Sequence, residues 1–493
     1  MKKKSLLKWQ AVSFISRGVA MAFGIIQSSV IVRILTVSEY GLVNIVVSIG
    51  SAFGIYQHLG LASGSTREIS SADDKDEIFK IFVTSAAIRY FVTIPLAIIM
   101  FVFSKSIAIS QYGAPEIVTP IRIFSLILLI QGSQSILNAV ISGMRRFKTL
   151  FIYQMIIAAV SLFIYIPLIY FYKIDGYFYA LALFNLIGSA SLAVLAFKPL
   201  KGHFNMPTKQ DFTRLLKEIL SISLGIYVIK IIYTYWQRSG PLLLGTAISA
   251  EQVGIFSFAL LYGGKLMTVS DSVTDVNLPV LSRQFKDNIE EFRSLFLSNF
   301  DKIFGFIIFA ALSAIFWARE IMFLFVGSQK YDDAFPFILP LVIAFVFYSV
   351  INIIKSSILI PAKLVKEMII GFVLMLGGTI SFYIASNSTL GPLFAMSYGM
   401  VFGSFIGLIT MLIFSKIKLN FMFLNLKHLT VFVLGTMFSL IGVFTSLGRF
   451  SLLKFGIYFG ICLFYLLIIM QLRFITQENL LALASSIKRR IKK

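Results

Sequence analysis

Runs of about twenty apolar residues follow one another along this chain, with only short polar breaks between them. A backbone crossing lipid has no water to bond its N–H and C=O groups, so it crosses as helices or as a closed barrel. A barrel would read as alternating segments of about ten residues. Here the apolar residues run on without alternation, so the expected fold is an all-α polytopic membrane protein. Composition agrees: of 493 residues, 58% are hydrophobic and 13% charged, against about 25% charged in ordinary globular chains. Fourteen spans are expected, at roughly 10–35, 40–62, 81–103, 117–141, 150–172, 176–197, 218–244, 252–278, 295–318, 335–358, 368–386, 391–414, 429–447 and 451–472. Between the ninth and tenth, "IMFLFVG" (321–327) reads as a short re-entrant or interfacial piece.

The net charge of +22 would suggest nucleic acid in a soluble protein. In a membrane protein it reports topology. With a cytoplasmic N-terminus, inner loops and tails hold 29 of the 44 Lys and Arg, outer loops hold 7, counting Arg33 and Lys454 at the outer ends of their spans, and 8 fall deeper within helices. That asymmetry follows the positive-inside rule. It places the chain in the cytoplasmic membrane with both termini inside, and no nucleic-acid partner is expected. "MKKKSLLKWQ" leads into an apolar run without a small-residue cleavage site, so it reads as a retained first helix. The tail "IKRRIKK" is basic enough to sit on anionic lipid headgroups, although a solvated tail explains it equally. Cys462 is the only cysteine, which excludes an intrachain disulfide, and no metal site is expected. The longest loop, 198–217, carries five basic residues and leaves no room for a soluble domain.

The chain also repeats itself. At an offset of 213, Arg17 falls on Lys230, Gly41 on Gly254, Lys80 on Arg293 and Arg89 on Lys302. The offset then becomes 218, pairing Arg145 with Lys363 and Lys148 with Lys366. The unit is six helices used twice in the same orientation, an arrangement that puts a substrate site between the halves. The expected organisation is an N-terminal six-helix bundle (1–200), a cytoplasmic linker (201–217), a C-terminal six-helix bundle (218–415), and a final segment (416–493) with helices thirteen and fourteen and the basic tail.

"RILTVSEYG" (33–41) sits between the first two expected spans. Thr36 and Glu39 have the spacing of a capping box, and Ser249 and Gln252 in "SAEQ" repeat it. Gly41 and Gly254 would let the two helices of each hairpin approach closely. Arg33 ends the first helix, where its side chain can reach headgroups. A tight helical hairpin is sufficient to explain this motif.

The same residues, R-x-L-x-x-x-E-Y-G, resemble the signature after the first helix of Wzx-like polysaccharide biosynthesis and O-antigen flippases of the multidrug/oligosaccharidyl-lipid/polysaccharide superfamily. The basic loop "GMRRFK" (143–148) is similar to their fourth-to-fifth connection. With the six-plus-six repeat, the resemblance covers roughly 1–415, and the last pair is similar to the fourteen-helix members. It implies a MATE-like fold of two bundles around a central cavity, alternating access, and a polyprenyl-pyrophosphate-linked oligosaccharide as cargo.

Charged residues within spans are functional suspects because they are costly in lipid. Eight are basic: Arg17, Arg89, Arg122, Lys230, Arg238, Lys265, Lys302 and Lys355; three are acidic: Asp271, Asp275 and Asp301. The excess suits an anion. Snorkelling to headgroups explains Arg122 and Lys355, and Lys302 beside Asp301 reads as a local pair or as another snorkelling side chain. Arg17, Arg89, Lys230, Lys265 and Arg238 remain as candidates for the pyrophosphate. Ser223, Tyr227, Lys230, Thr234 and Gln237 recur at steps of three and four, and so do Lys265, Thr268, Ser272 and Asp275. Sugars are expected among Tyr227, Tyr262, Thr234 and Gln237. Interhelical hydrogen bonding without a substrate is the rival reading of these stripes.

Asp271, Asp275 and His58 are candidates for coupling to a proton or sodium gradient, since Asp271 falls on His58 at the 213 offset; structural ion pairing competes for the two aspartates. No cofactor is expected. Further expected partners are membrane lipids and the polymerase and assembly proteins that would receive the cargo. A multidrug antiporter would want more acids in its cavity, whereas a lipid II-type flippase differs only in cargo and stays open. A membrane glycosyltransferase or polymerase would need catalytic carboxylates or large outer loops. Neither these nor a nucleophile–base set is present, so no enzyme is expected.

Overall fold

A computed structural model describes residues 3–72, 74–268, 270–271, 281, 284–285, 288–444 and 450–474, with side chains from residue 18 onward except 221–224 and 226. All regular structure among them is helical, and ten helices are long and apolar enough to cross a membrane. The chain divides by packing into two compact units, Met1–Ser257 and Phe258–Lys493. The repeat divides it instead at the 201–217 linker. The packing boundary falls later because the seventh long helix rests on elements of the first half.

The first unit holds α1 (Lys3–Ile34), α2 (Val37–Gly54), α3 (Leu61–Ser71), α4 (Lys75–Val102), α5 (Val118–Gly143), α6 (Phe147–Phe197), α7 (Lys209–Leu244) and the beginning of α8 (Ala250–Gly264). The 51-residue α6 contains both the fifth and sixth expected spans. It reverses at Lys173, whose φ of 53° and ψ of −120° are non-helical. A Cβ on Gly176 would overlap the Leu168 carbonyl, so only glycine permits that reversal.

The second expected span, 40–62, is corrected. The α-helix ends at Gly54, a short 3-10 turn runs Ile55–Gln57, and the chain breaks at Leu59 and Gly60, both with positive φ (43° and 71°), before α3 begins. Gly60 adopts that conformation freely. A leucine there is held against its preference, at about 1–2 kcal/mol.

The capping box stands as expected. Thr36 Oγ1 accepts from the Glu39 N–H (3.1 Å), and the Thr36 N–H donates to Glu39 Oε2 (2.8 Å). Ser249 Oγ likewise accepts from the Gln252 N–H at 3.3 Å. The glycines do something different from closing each hairpin. A Cβ on Gly41 would collide with the carbonyl of Ala250, and one on Gly254 with the carbonyl of Val37. Since 37 and 250 are themselves 213 apart, the contact is self-complementary, as in a two-fold interface. The equivalent first turns of α2 and α8 therefore pack against each other, backbone to backbone.

The later offset is matched in conformation. Arg145 and Lys363 both have positive φ (57° and 59°). The Arg146 N–H bonds Ile141 O (3.1 Å) and the Leu364 N–H bonds Leu359 O (2.9 Å), again 218 apart. Lys80 and Arg293 also play parallel roles. Lys80 pairs with Asp211 at 3.0 Å, and Arg293 donates to the Leu419 carbonyl at 2.6 Å, each tying an early helical turn to chain that follows its sixth span. Asp211 also caps α7 through Thr208, and these contacts hold its carboxyl well below the usual range, at about 2.

The second unit contains the rest of α8, then α9 (Ile289–Phe316), α10 (Ala318–Val326), α11 (Phe335–Ile354), α12 (Val365–Leu390), α13 (Pro392–Leu419), α14 (Leu426–Phe444) and α15 (Leu452–Gln471). The expected short piece at 321–327 is α10, ended by Gly327 at φ 75°. The appended helices α14 and α15 are fixed to α9 and α10 by charge as well as packing. Asp301 accepts from Lys427 and lies 2.9 Å from His428 Nε2. Glu320 and Lys454, each 2% exposed, pair at 2.7 Å, with Lys454 also over the rings of Phe316 and Trp317. Glu320 and Lys454 escaped notice because each lies at the edge of an expected span.

Two measurements check this packing. Gly41→Ala or Gly254→Ala must move backbone, and should lower stability in thermal unfolding by about 1–3 kcal/mol. Gly377→Ala, with nothing within 4 Å of its added Cβ, should not. Glu320→Gln strands a buried ammonium and should cost about 3–5 kcal/mol, while Glu320→Leu with Lys454→Met should recover most of it.

Candidate functional site

The break between α2 and α3 brings together residues from four elements of the first unit. Arg89 of α4 is 1% exposed. Its Nη1 donates to Ser135 Oγ of α5 at 2.6 Å, and its Nη2 lies 3.3 Å from His58 Nδ1. A guanidinium only donates, so Nδ1 is the acceptor and His58 is neutral with its proton on Nε2. Arg89 Nε is buried without a partner. Lys230 of α7 is exposed and lies within electrostatic range of both Arg89 and His58. Among the described residues, neither Arg89 nor Lys230 is paired with a carboxylate.

The break is held by side chains. Tyr227 donates its hydroxyl toward the carbonyls of Tyr56 (2.9 Å) and Ile55 (3.2 Å); Ile55 O also accepts from the His58 N–H at 3.1 Å, whereas the Tyr56 carbonyl is one an uninterrupted helix would have used itself. Gln57, 2% exposed, accepts from Thr93 at 3.1 Å. Tyr56 and Tyr235 meet hydroxyl to hydroxyl at 3.0 Å. Arg238, partly buried, has Tyr40, Tyr177 and Tyr233 around it.

Of the residues singled out in the sequence, Arg89, Lys230 and His58 come together, with Tyr227 beside them. Tyr227 is 7% exposed and bonded to backbone. Thr234 bonds the Lys230 carbonyl at 2.9 Å, and Gln237 is partly exposed on the same helix. Arg33 is exposed in the last turn of α1. The side chains of Arg17 and Ser223, and residues Ser272 and Asp275, lie outside what is described.

In the second unit, Lys265 sits in the turn that ends α8, partly exposed. Tyr262 donates to the Ala314 carbonyl at 2.6 Å. Asp271 accepts from Asn352 Nδ2 at 2.8 Å. Asn352 is 4% exposed and precedes a π-helical turn, Lys355–Leu359. Sequence reasoning missed Ser135, Asn352, Tyr56 and Tyr235, since an uncharged polar residue in a span carries no signal of its own. The glycine of "QHLG" was the available mark of the broken helix.

A family model described as "Polysaccharide biosynthesis protein" matches residues 30–336. The chain belongs to that family. It is similar in structure to an inward-facing multidrug resistance MATE family transporter of the MOP superfamily (16% identity, 88% of this chain and 100% of that one, TM-score 0.67). It is also similar to the lipid II flippase MurJ (14%, 94% and 98%, 0.69) and to the Vibrio cholerae MATE transporter VcmN (15%, 85% and 97%, 0.56). A comparison with curated protein sequences finds no match. The protein is thus a multi-pass membrane protein of MATE-like fold in a polysaccharide biosynthesis family.

Tyr227→Phe removes the hydroxyl bonded to the Tyr56 carbonyl, while Ile55 O keeps the His58 N–H. It should cost about 1–2 kcal/mol and speed amide hydrogen exchange at the 55–61 break, leaving α5 and α6 unchanged.

Proposed function

We propose that this protein carries a polyprenyl-pyrophosphate-linked oligosaccharide across the cytoplasmic membrane by alternating access. The observation that carries the reading is the Arg89–Lys230 pair of cations, one fully buried and one exposed, without a carboxylate between them. Two uncompensated like charges within a membrane protein are unfavourable by themselves. A pyrophosphate bound at the exposed Lys230 relieves them by neutralising that charge directly and the buried Arg89 charge through its field. The motif at 33–41 and the family's connection to polysaccharide biosynthesis support the sugar part of the cargo.

The relatives named for multidrug transport and for lipid II offer two other cargoes. A cationic drug is a poor fit for a cationic pair, and a lipid II-type cargo shares the anionic head. Orientation with both termini inside rests on the 29-to-7 distribution of basic residues. Coupling to a proton or sodium gradient would draw on His58 and Asp271, and polymerase and assembly proteins would take the cargo on the far side.

In cells lacking the protein, lipid-linked oligosaccharide should accumulate on the cytoplasmic face. Wild type should relieve it, and Lys230→Glu at equal protein level should not. Unchanged lipid-linked oligosaccharide, with altered tolerance to cationic compounds instead, would move the protein to drug transport.

A further inference from the structure

We infer that Tyr56 and Tyr235 form a carbohydrate-binding platform next to the cationic pair, taking the sugar nearest the pyrophosphate. The inference rests on the pyrophosphate reading of Arg89 and Lys230 and adds what that reading lacks, a place for the sugar.

The two hydroxyls are 3.0 Å apart and the ring centroids 6.5 Å apart, with the ring planes inclined at 60°. They form an open V rather than a stack. Tyr56 is 40% exposed and Tyr235 partly so. In a hydroxyl–hydroxyl bond one hydrogen is donated and the other is left over. The pair thus offers a ligand one donor, free lone pairs and two ring faces. A pyranose presents the complement, an apolar C–H face ringed by hydroxyls that both donate and accept. Tyrosine suits such a ligand because its body is apolar and its tip is polar.

Position supports the assignment. Tyr56 lies two residues before His58 on the broken end of α2, so the platform and the cations share one short segment. On α7, Lys230, Thr234 and Arg238 follow at steps of four, and Tyr235 lies three before Arg238, so neighbouring ridges carry all four. Along the axis Tyr235 is about 7 Å beyond Lys230. A surface that leaves Lys230 exposed is not one turned to lipid. The Tyr227 hydroxyl, bonded to the Tyr56 carbonyl, fixes the backbone that carries the Tyr56 ring.

The test uses full-length protein in detergent and two probes, farnesyl pyrophosphate and the same lipid pyrophosphate bearing one N-acetylglucosamine, with affinities read by microscale thermophoresis. Wild type should bind the glycosylated probe about fivefold more tightly. Tyr56→Leu and Tyr235→Leu should reduce that preference to near one while leaving the sugar-free probe unaffected. Lys230→Ala should weaken both probes alike. Leucine variants that keep the wild-type preference, or a wild type without one, would overturn the platform and leave the pyrophosphate site standing. Failure of wild type to bind either probe would overturn the pyrophosphate reading itself. Should the leucine variants not fold, Tyr56→Phe and Tyr235→Phe keep the rings and drop the hydroxyls. A partial loss of preference is expected there, and an unchanged one would refute the hydroxyl contact.

Discussion

Two glycines without side chains, Gly41 and Gly254, let the first turns of α2 and α8 lie backbone against backbone, and the candidate site depends on that contact. Each glycine faces the carbonyl that belongs to the other's repeat-equivalent turn. The contact is tolerant of nothing larger than hydrogen at either position. It sets where α2 enters the unit, hence where its far end breaks, hence where Tyr56 and His58 are delivered. The capping boxes at Thr36 and Ser249 start both helices in register with it.

From there the site is assembled by hydrogen bonds more than by apolar packing. Arg89 is turned by Ser135 and His58, and the open Tyr56 carbonyl at the break is answered by Tyr227. Burying a guanidinium among neutral donors and acceptors leaves its charge uncompensated, which in lipid is a standing cost. The pyrophosphate proposed as ligand would lower that cost.

Much of this was legible in the sequence. Apolar runs of spanning length gave the helices, because lipid imposes one rule on every backbone group. The repeat was legible because charge and glycine are scarce in such a chain, so Arg145 with Lys363 and Gly41 with Gly254 stood out. The hydrogen-bonding pattern at those turns repeats with them. The function of the glycines was not legible, because a spacing says that a close approach occurs and not which helix arrives. Nor was the break at Leu59, since leucine is a poor resident of left-handed backbone and "HLGLASG" reads as well for a continuing helix. Ser135 and Asn352 were silent for the reason that a buried hydroxyl or amide becomes informative only beside its partner.

Tyr227 has one more consequence. Its phenol serves as a removable stopper over the end of a helix that it does not belong to. If α7 slides or turns against α2 by less than one residue's rise, the Tyr56 carbonyl loses its side-chain donor. Such a displacement is resisted by that bond. The phenol is thus a latch between two helices that lie far apart in the chain.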